Sequence, residues 1–214
     1  MMKYIPMRVR ASADMVRLEL RTLEEYCIHG EIFFAGRIKN FQKEFNKDPK
    51  SWDIDHAVDM RNELETHLDY SNYFGLLMAF SSLERFLDRL YSQTKYTATK
   101  PALRDAMLER GGWLKVDDYR KFLKALGIDL TAARYKWHEI VKLNAFRDAI
   151  AHQGGAVTGD NENRLKHYKY KKGDWLNVTI DDVRKSIKLV QETVELLTTD
   201  YLKALRKKRL IRGR

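Results

Sequence analysis

Only three prolines, Pro6, Pro49 and Pro101, fall in a chain of 214 residues. Proline lacks the backbone donor and clashes with the preceding helical turn, so it ends or kinks helices. A chain with so few is free to build long ones, and its apolar residues recur at helical spacing. Ser12 is placed to cap a first long helix over about 12–46, whose apolar positions include Met15, Val16, Leu18, Leu20, Leu23, Ile28, Ile32, Phe33, Phe41 and Phe45. Pro49 closes the turn after it. Asp53 or Asp55 can cap a second segment running to about Tyr91, with a kink or break expected at Asp69 to Asn72. Its later half, from Tyr73 to Tyr91, is apolar on several faces, as in the middle helix of a bundle.

The polar stretch from Ser92 to Lys100 reads as a loop, and a short helix is expected over 101–110, stopped by Gly111-Gly112. Another spans Asp117 to Leu126 and stops at Gly127. Thr131 opens a further helix, and Gly154 to Glu162 is a polar loop. From Lys166 to Val178 the pattern alternates and turns at Gly173-Asp174, which predicts a small β-hairpin. Asp181 or Thr179 caps a last helix to about Arg206, with Ile187, Val190, Val194, Leu197, Tyr201 and Leu205 on one stripe. The expected fold is all-α: a bundle of about five to seven helices with one hairpin before the last. The expected organisation is a single domain, with residues 1–50 as an N-terminal helical elaboration, 53–205 as the core bundle and 206–214 as a basic tail.

Hydrophobic content of 44% with 33% charged residues suits a globular helical chain rather than a disordered one. The net charge of +10 fits a polyanionic partner such as RNA or DNA, or an acidic protein, without choosing among them, and equally a charge that serves solubility. Cys27 is the only cysteine, so no internal disulfide is possible, and no Cys/His cluster has zinc-finger spacing. Met1 to Arg10 has no apolar run of signal-peptide length, and no stretch approaches a transmembrane span. A cytoplasmic, reducing location and no membrane partner are the expectations.

Chemistry concentrates in one segment, Leu143-Asn-Ala-Phe-Arg147-Asp148-Ala-Ile-Ala-His152-Gln-Gly-Gly155. At 100° per residue, Asn144, Asp148 and His152 form one stripe, with Arg147 beside Asn144. Leu143, Phe146 and Ile150 face the other way, and Ala145, Ala149 and Ala151 leave room for close approach. Gly154-Gly155 ends the helix and leaves it open. Arginine holds a phosphate and histidine moves a proton, which together suffice for metal-free chemistry on a phosphodiester. A similar spacing, Arg61 to His67, lies among carboxylates that repel a phosphate and reads as a solvated face. Lys166-His-Tyr-Lys-Tyr-Lys-Lys172 interleaves aromatics with charge, a pattern suited to RNA contact or to aromatics packed on the bundle.

The segment from Leu143 to His152 resembles the signature of the HEPN superfamily: arginine, often a polar residue directly after it, four to six positions, then histidine, at the end of a helix late in the domain. Phe80-Ser-Ser-Leu-Glu-Arg-Phe-Leu-Asp-Arg-Leu90 is similar to an earlier bundle helix of such domains, and the resemblance covers roughly residues 70–205. One branch, toxins paired with a nucleotidyltransferase antitoxin, carries a tyrosine two positions after the histidine, where this chain has Gly154. The resemblance implies a dimeric helical domain that, in its active members, is a metal-independent endoribonuclease with no cofactor. Such proteins serve in toxin–antitoxin and antiviral defence, with an antitoxin or regulatory protein as a possible partner. It also implies Arg147 and His152 as catalytic residues. The helix spacing adds Asp148, one turn before His152, as a catalytic residue that orients the imidazole or makes it more basic, and Asn144 as a substrate-binding residue that holds Arg147 or touches the ribose.

The helix geometry bears on this. Arg147 and His152 are about 140° apart around a helix and roughly 7.5 Å along it, so one protomer has difficulty closing both on one phosphate. A two-fold axis near the helix end of a homodimer would gather two arginines and two histidines. The alternative expectation is a non-catalytic module that binds RNA, a nucleotide or a protein partner with the same polar groove.

Overall fold

The computed structural model describes residues 4–98 and 116–208. The expected helix over 101–110, Trp113 and the end of the basic tail lie outside the described residues. Among those described, six α-helices form and no strand does: α1 (Ile5–Lys47), α2 (Ile54–Ala98), α3 (Val116–Ala125), α4 (Trp137–Gln153), α5 (Glu162–Leu165) and α6 (Ile180–Lys207). The all-α expectation holds. None of these helices is long and apolar enough to cross a membrane.

The described chain divides into two compact units. The first holds residues up to Leu20, those from Phe80 to Ala145, and those from Lys188 onward; the second holds Arg21–Ala79 and Phe146–Ile187. Thus α1, α2, α4 and α6 each contribute to both.

The first unit is built on apolar stripes at helical spacing. Val9, Ala13, Val16 and Leu20 on α1 are buried, as are Phe80, Leu83, Phe86, Leu87 and Leu90 on α2. Val190, Val194, Leu197, Tyr201 and Leu205 supply the stripe of α6. The buried Tyr201 hydroxyl donates to the Leu90 carbonyl at 2.6 Å, so its polar end costs little to bury. Gly127, at φ +89, ends α3 as the spacing predicts. Ile128 N–H bonds Leu123 O and Gly127 N–H bonds Lys124 O, the paired bonds that satisfy a helix's last carbonyls.

In the second unit, Leu23 and Cys27 of α1, Leu64, Tyr73 and Leu76 of α2, Ala149 and Ile150 of α4, and Val183 and Ile187 of α6 are buried. Gly75 lets the helices close. A Cβ there would stand 2.7 Å from both Cys27 Sγ and Val183 Cγ1. Burial pushes the Cys27 thiol up to about 11, which keeps it neutral.

Several element boundaries differ from the sequence reading. The first helix begins at Ile5, with Pro6 in the first turn where its missing N–H is tolerated. Ser12 lies inside it, its hydroxyl bonded back to Arg8 O at 2.9 Å. No break occurs at Asp69 to Asn72: no proline stands there, and Asn72 and Tyr73 are buried in a continuous α2. The same helix continues to Ala98 through the stretch read as a loop. Thr131 does not open α4. Asp129 takes its N–H and hydroxyl at 3.0 and 2.8 Å, a short 3-10 turn follows, and the helix starts at Trp137. Asp53 and Thr179 do cap their helices. Asp53 accepts from Asp55 and His56 N–H, and Thr179 exchanges bonds with Asp182 in a capping box.

The β-hairpin over 166–178 does not form. Residues Lys166–Tyr168 make a 3-10 turn directly after α5. The rings of Tyr168 and Tyr170 meet Phe146 edge-on, at 5.9 and 5.7 Å between centroids. The alternation there serves packing, and the neighbouring lysines are exposed. The turn at Gly173-Asp174 is present, but the chain leaving it pairs with a different segment. Trp175 forms a lone antiparallel bridge with Ala156.

Two glycines on long helices should respond oppositely to alanine. Gly75→Ala should lower stability by about 1–3 kcal/mol through overpacking. Gly36→Ala, where an added Cβ meets nothing within 4 Å, should raise it by about 0.5–1 kcal/mol. Shifts in the urea midpoint at constant slope would check both.

Candidate functional site

The site belongs to the second unit and begins at the end of α4. Phe146, Ala149 and Ile150 are buried, so the opposite side of this turn faces outward. Arg147 and Asp148 keep about a quarter of their side-chain surface exposed (27% and 25%), and His152 is exposed. The helix stops at two left-handed glycines, Gly154 (φ +62) and Gly155 (φ +96). Gly154 N–H still completes a turn to Ile150 O at 3.0 Å, and Gly155 N–H reaches back to Ala149 O at 3.1 Å.

Gly155 is held in place by the rest of the unit. Its virtual Cβ would lie 2.7 Å from the ring and hydroxyl of Tyr73 on α2. The Tyr73 hydroxyl donates to Leu176 O at 2.5 Å, and Leu176 N–H donates to Gly155 O at 2.9 Å. Val157 N–H bonds Asp174 O and Gly173 N–H bonds Val157 O. Burial, and after it the Asp69 carboxylate, push the Tyr73 hydroxyl up to about 12, so it remains a donor. Asn161, buried, bridges the loop by donating to Ala156 O and accepting from Thr158 N–H. The chain therefore turns sharply one residue after Gln153 and is pinned there, which fixes the exposed last turn that carries His152.

Asp148 accepts from two guanidiniums. Arg147 NH1 lies 2.9 Å from one oxygen, and Arg164 of α5 bonds the other. Arg164 is the site residue that sequence reasoning missed. It sits 16 positions after Asp148 in a polar stretch, and no spacing rule links the two. His152 shares the face of Asp148 one turn on but makes no hydrogen bond among the described residues. Asp148 thus organises the arginines rather than the imidazole. Asn144 is half-buried on the same helix; it falls in the first unit and makes no hydrogen bond among the described residues.

Other candidate groups are placed less suggestively. Arg61 bridges Glu65 at 2.8 Å, and His67 lies 3.6 Å from Glu63 and stacks on Phe34. Trp52 packs with Phe41 and Phe45, and Trp137 is buried. Trp175 is 65% exposed, on the segment that bonds Gly155. No protein-family model, curated protein or solved structure matches the chain.

The two glycines should separate strain from collision. Gly154→Ala meets nothing within 4 Å and should cost about 1–2 kcal/mol for the left-handed backbone alone. Gly155→Ala adds a collision with a buried ring and should cost at least about 3 kcal/mol. Thermal unfolding of the two variants side by side would test the ranking, and equal losses would refute the pinning role of Tyr73.

Proposed function

We propose that the protein is a metal-independent endoribonuclease of HEPN type, cleaving RNA through the 2′-oxygen. The observation that carries this reading is the pair of guanidiniums held by Asp148 on the open helix end that exposes His152. The net charge of +10 and the exposed lysines from Lys166 to Lys172 favour a polyanionic substrate.

In the proposed reaction an imidazole takes the proton from a ribose 2′-OH, and the 2′-oxygen attacks the adjacent phosphorus. Arg147 and Arg164 stabilise the negative charge growing on the phosphorane oxygens. A second imidazole, His152 of the other protomer in a homodimer, protonates the departing 5′-oxygen. The products are a cyclic 2′,3′-phosphate and a 5′-hydroxyl. The homodimer belongs to the HEPN reading, and the angular separation of Arg147 and His152 on one helix supports it, because one protomer has difficulty closing both on one phosphate. Asp148 is the positioning carboxylate, and the exposed indole of Trp175 offers a face for a base. Asn144 keeps the substrate-contact role only if the RNA reaches along α4. A ribonuclease of this kind must be restrained in its own cell, so an antitoxin or regulatory partner and a role in toxin–antitoxin or antiviral defence belong to the same reading.

One observation favours a second reading, a non-catalytic module of the same fold. Among the described residues no carboxylate or carbonyl hydrogen-bonds His152, whereas the arginine pair is held in place by Asp148.

The test is purified protein against His152→Ala and Arg147→Ala on total RNA and labelled tRNA with excess EDTA. Wild type should leave cyclic phosphates and 5′-hydroxyls, and each variant should lose about 10²-fold or more in rate while folding normally. Loss of cleavage in EDTA, or cleavage undiminished by both substitutions, would sink the mechanism. Binding that depends on Arg147 without any cleavage would establish the module instead.

A further inference from the structure

The first unit contains a basic groove that the chemistry at α4 does not use. It is a cavity of about 530 Å³ between the turn that ends α3 and the last turns of α6. Lys124, Arg134, Lys203, Lys207 and Lys208 line it, and among the described residues Asp200 is the one carboxylate in its wall. That carboxylate is already engaged, with Arg134 at 2.6 Å and with the Tyr135 hydroxyl. Glu192 and Glu195, on the adjoining surface, are paired with Lys136 at 2.8 Å and Arg17 at 3.5 Å.

The cations are not balanced in the same way. Lys208 donates to the Ala125 carbonyl at 3.0 Å, which offsets the negative end of α3. Lys124, Lys203 and Lys207 are exposed and have no ion-pair partner among the described residues. Three ammonium groups thus face one concavity; the carboxylate among its described lining residues, Asp200, is already paired, and the nearby Asp129 carboxylate is taken up by the Thr131 N–H and hydroxyl. The arrangement is complementary to a multiply charged anion, and the free energy of bringing one in is not spent on breaking existing bridges.

We infer that this groove binds the phosphodiester backbone of a single nucleic-acid strand, as a contact separate from the site on α4. Two features favour a strand over a compact polyphosphate or a lipid surface. After Lys208 the sequence carries further positive charge, as Arg209, Arg212 and Arg214, which suits an extended polyanion. A concave wall of ammonium groups admits a chain of phosphates but not a flat bilayer. The remaining described lining is small and aliphatic, including Ala125, Gly127 and Ala204, with no aromatic among the described residues, so recognition is of backbone charge and not of bases.

The experiment measures binding of a fluorescent, fully 2′-O-methylated oligouridylate across a salt series, using the full chain. The modified ribose cannot be cleaved by the proposed chemistry, so this readout stands or falls apart from the ribonuclease reading. The test variant is Lys124→Gln/Lys203→Gln/Lys207→Gln. These exposed positions should leave unfolding unchanged within about 0.5 kcal/mol. Affinity should fall about tenfold or more, and the slope of log K against log salt should flatten by about 0.7 for each lysine removed. The control, Lys39→Gln/Lys43→Gln on α1, removes exposed charge elsewhere and should bind nearly as wild type. His152→Ala should leave the salt slope unchanged. Equal losses per lysine removed in the test and control variants would overturn the proposal, because only net charge would then matter. So would displacement of the oligonucleotide by inorganic triphosphate at equal phosphate concentration, or a triple variant that loses binding to anionic vesicles alone.

Discussion

Gly155 has no Cβ because the Tyr73 ring occupies the space where one would be. That close approach fixes the path of the chain after α4 in the second unit. It sets the left-handed turn after α4, and the hydroxyl of the same tyrosine holds Leu176, whose N–H holds Gly155 in return. A loop between two helices is ordinarily a place where a chain drifts. Here the loop is tied back to α2 by a buried ring, and the last turn of α4 inherits that rigidity. His152 stands three residues before the pinned glycine. Its exposure is therefore a property of the packed unit and not of a frayed helix end.

Charge is arranged differently in the two units. In the second, one carboxylate gathers two arginines at a partly exposed point, so a guanidinium pair is oriented in advance of any ligand. Partly exposed bridges of this kind add little to stability, and their value here is geometric. In the first, the carboxylates around the end of α6 are taken up by Arg17, Arg134 and Lys136, and the surplus lysines are left facing a cavity. Buried polar groups are treated more strictly. The Tyr135 hydroxyl is pushed well above the usual tyrosine range by burial and by the Asp200 carboxylate, so it stays a donor to that carboxylate.

Local signals in the sequence carried over where the physics was itself local. Gly127 ends α3, Thr179 caps α6, and the spacing of Leu143, Phe146 and Ile150 gives the buried side of α4. Polar composition misled at Asp69 to Asn72 and again after Ser92. A helix ends when its backbone bonds find better partners, and polarity alone offers none. The alternation from Lys166 to Tyr170 resembled a strand because aromatic and charged residues alternate there. The rings point at Phe146 from a 3-10 turn, and only that three-dimensional neighbour reveals it.

The sequence by itself determined an all-α chain, since few prolines and helical apolar spacing leave little else. It also placed Arg147, Asp148 and His152 on adjoining turns of one helix that two glycines end, because helix periodicity and glycine's backbone freedom act within a few residues. The tertiary structure decided what those side chains meet. Arg164 reaches Asp148 from another element, Tyr73 reaches Gly155 from α2, and the lysines of α3 and α6 come to share one groove. These are contacts between residues far apart in the chain, fixed by how the helices pack, and no spacing along the sequence encodes them.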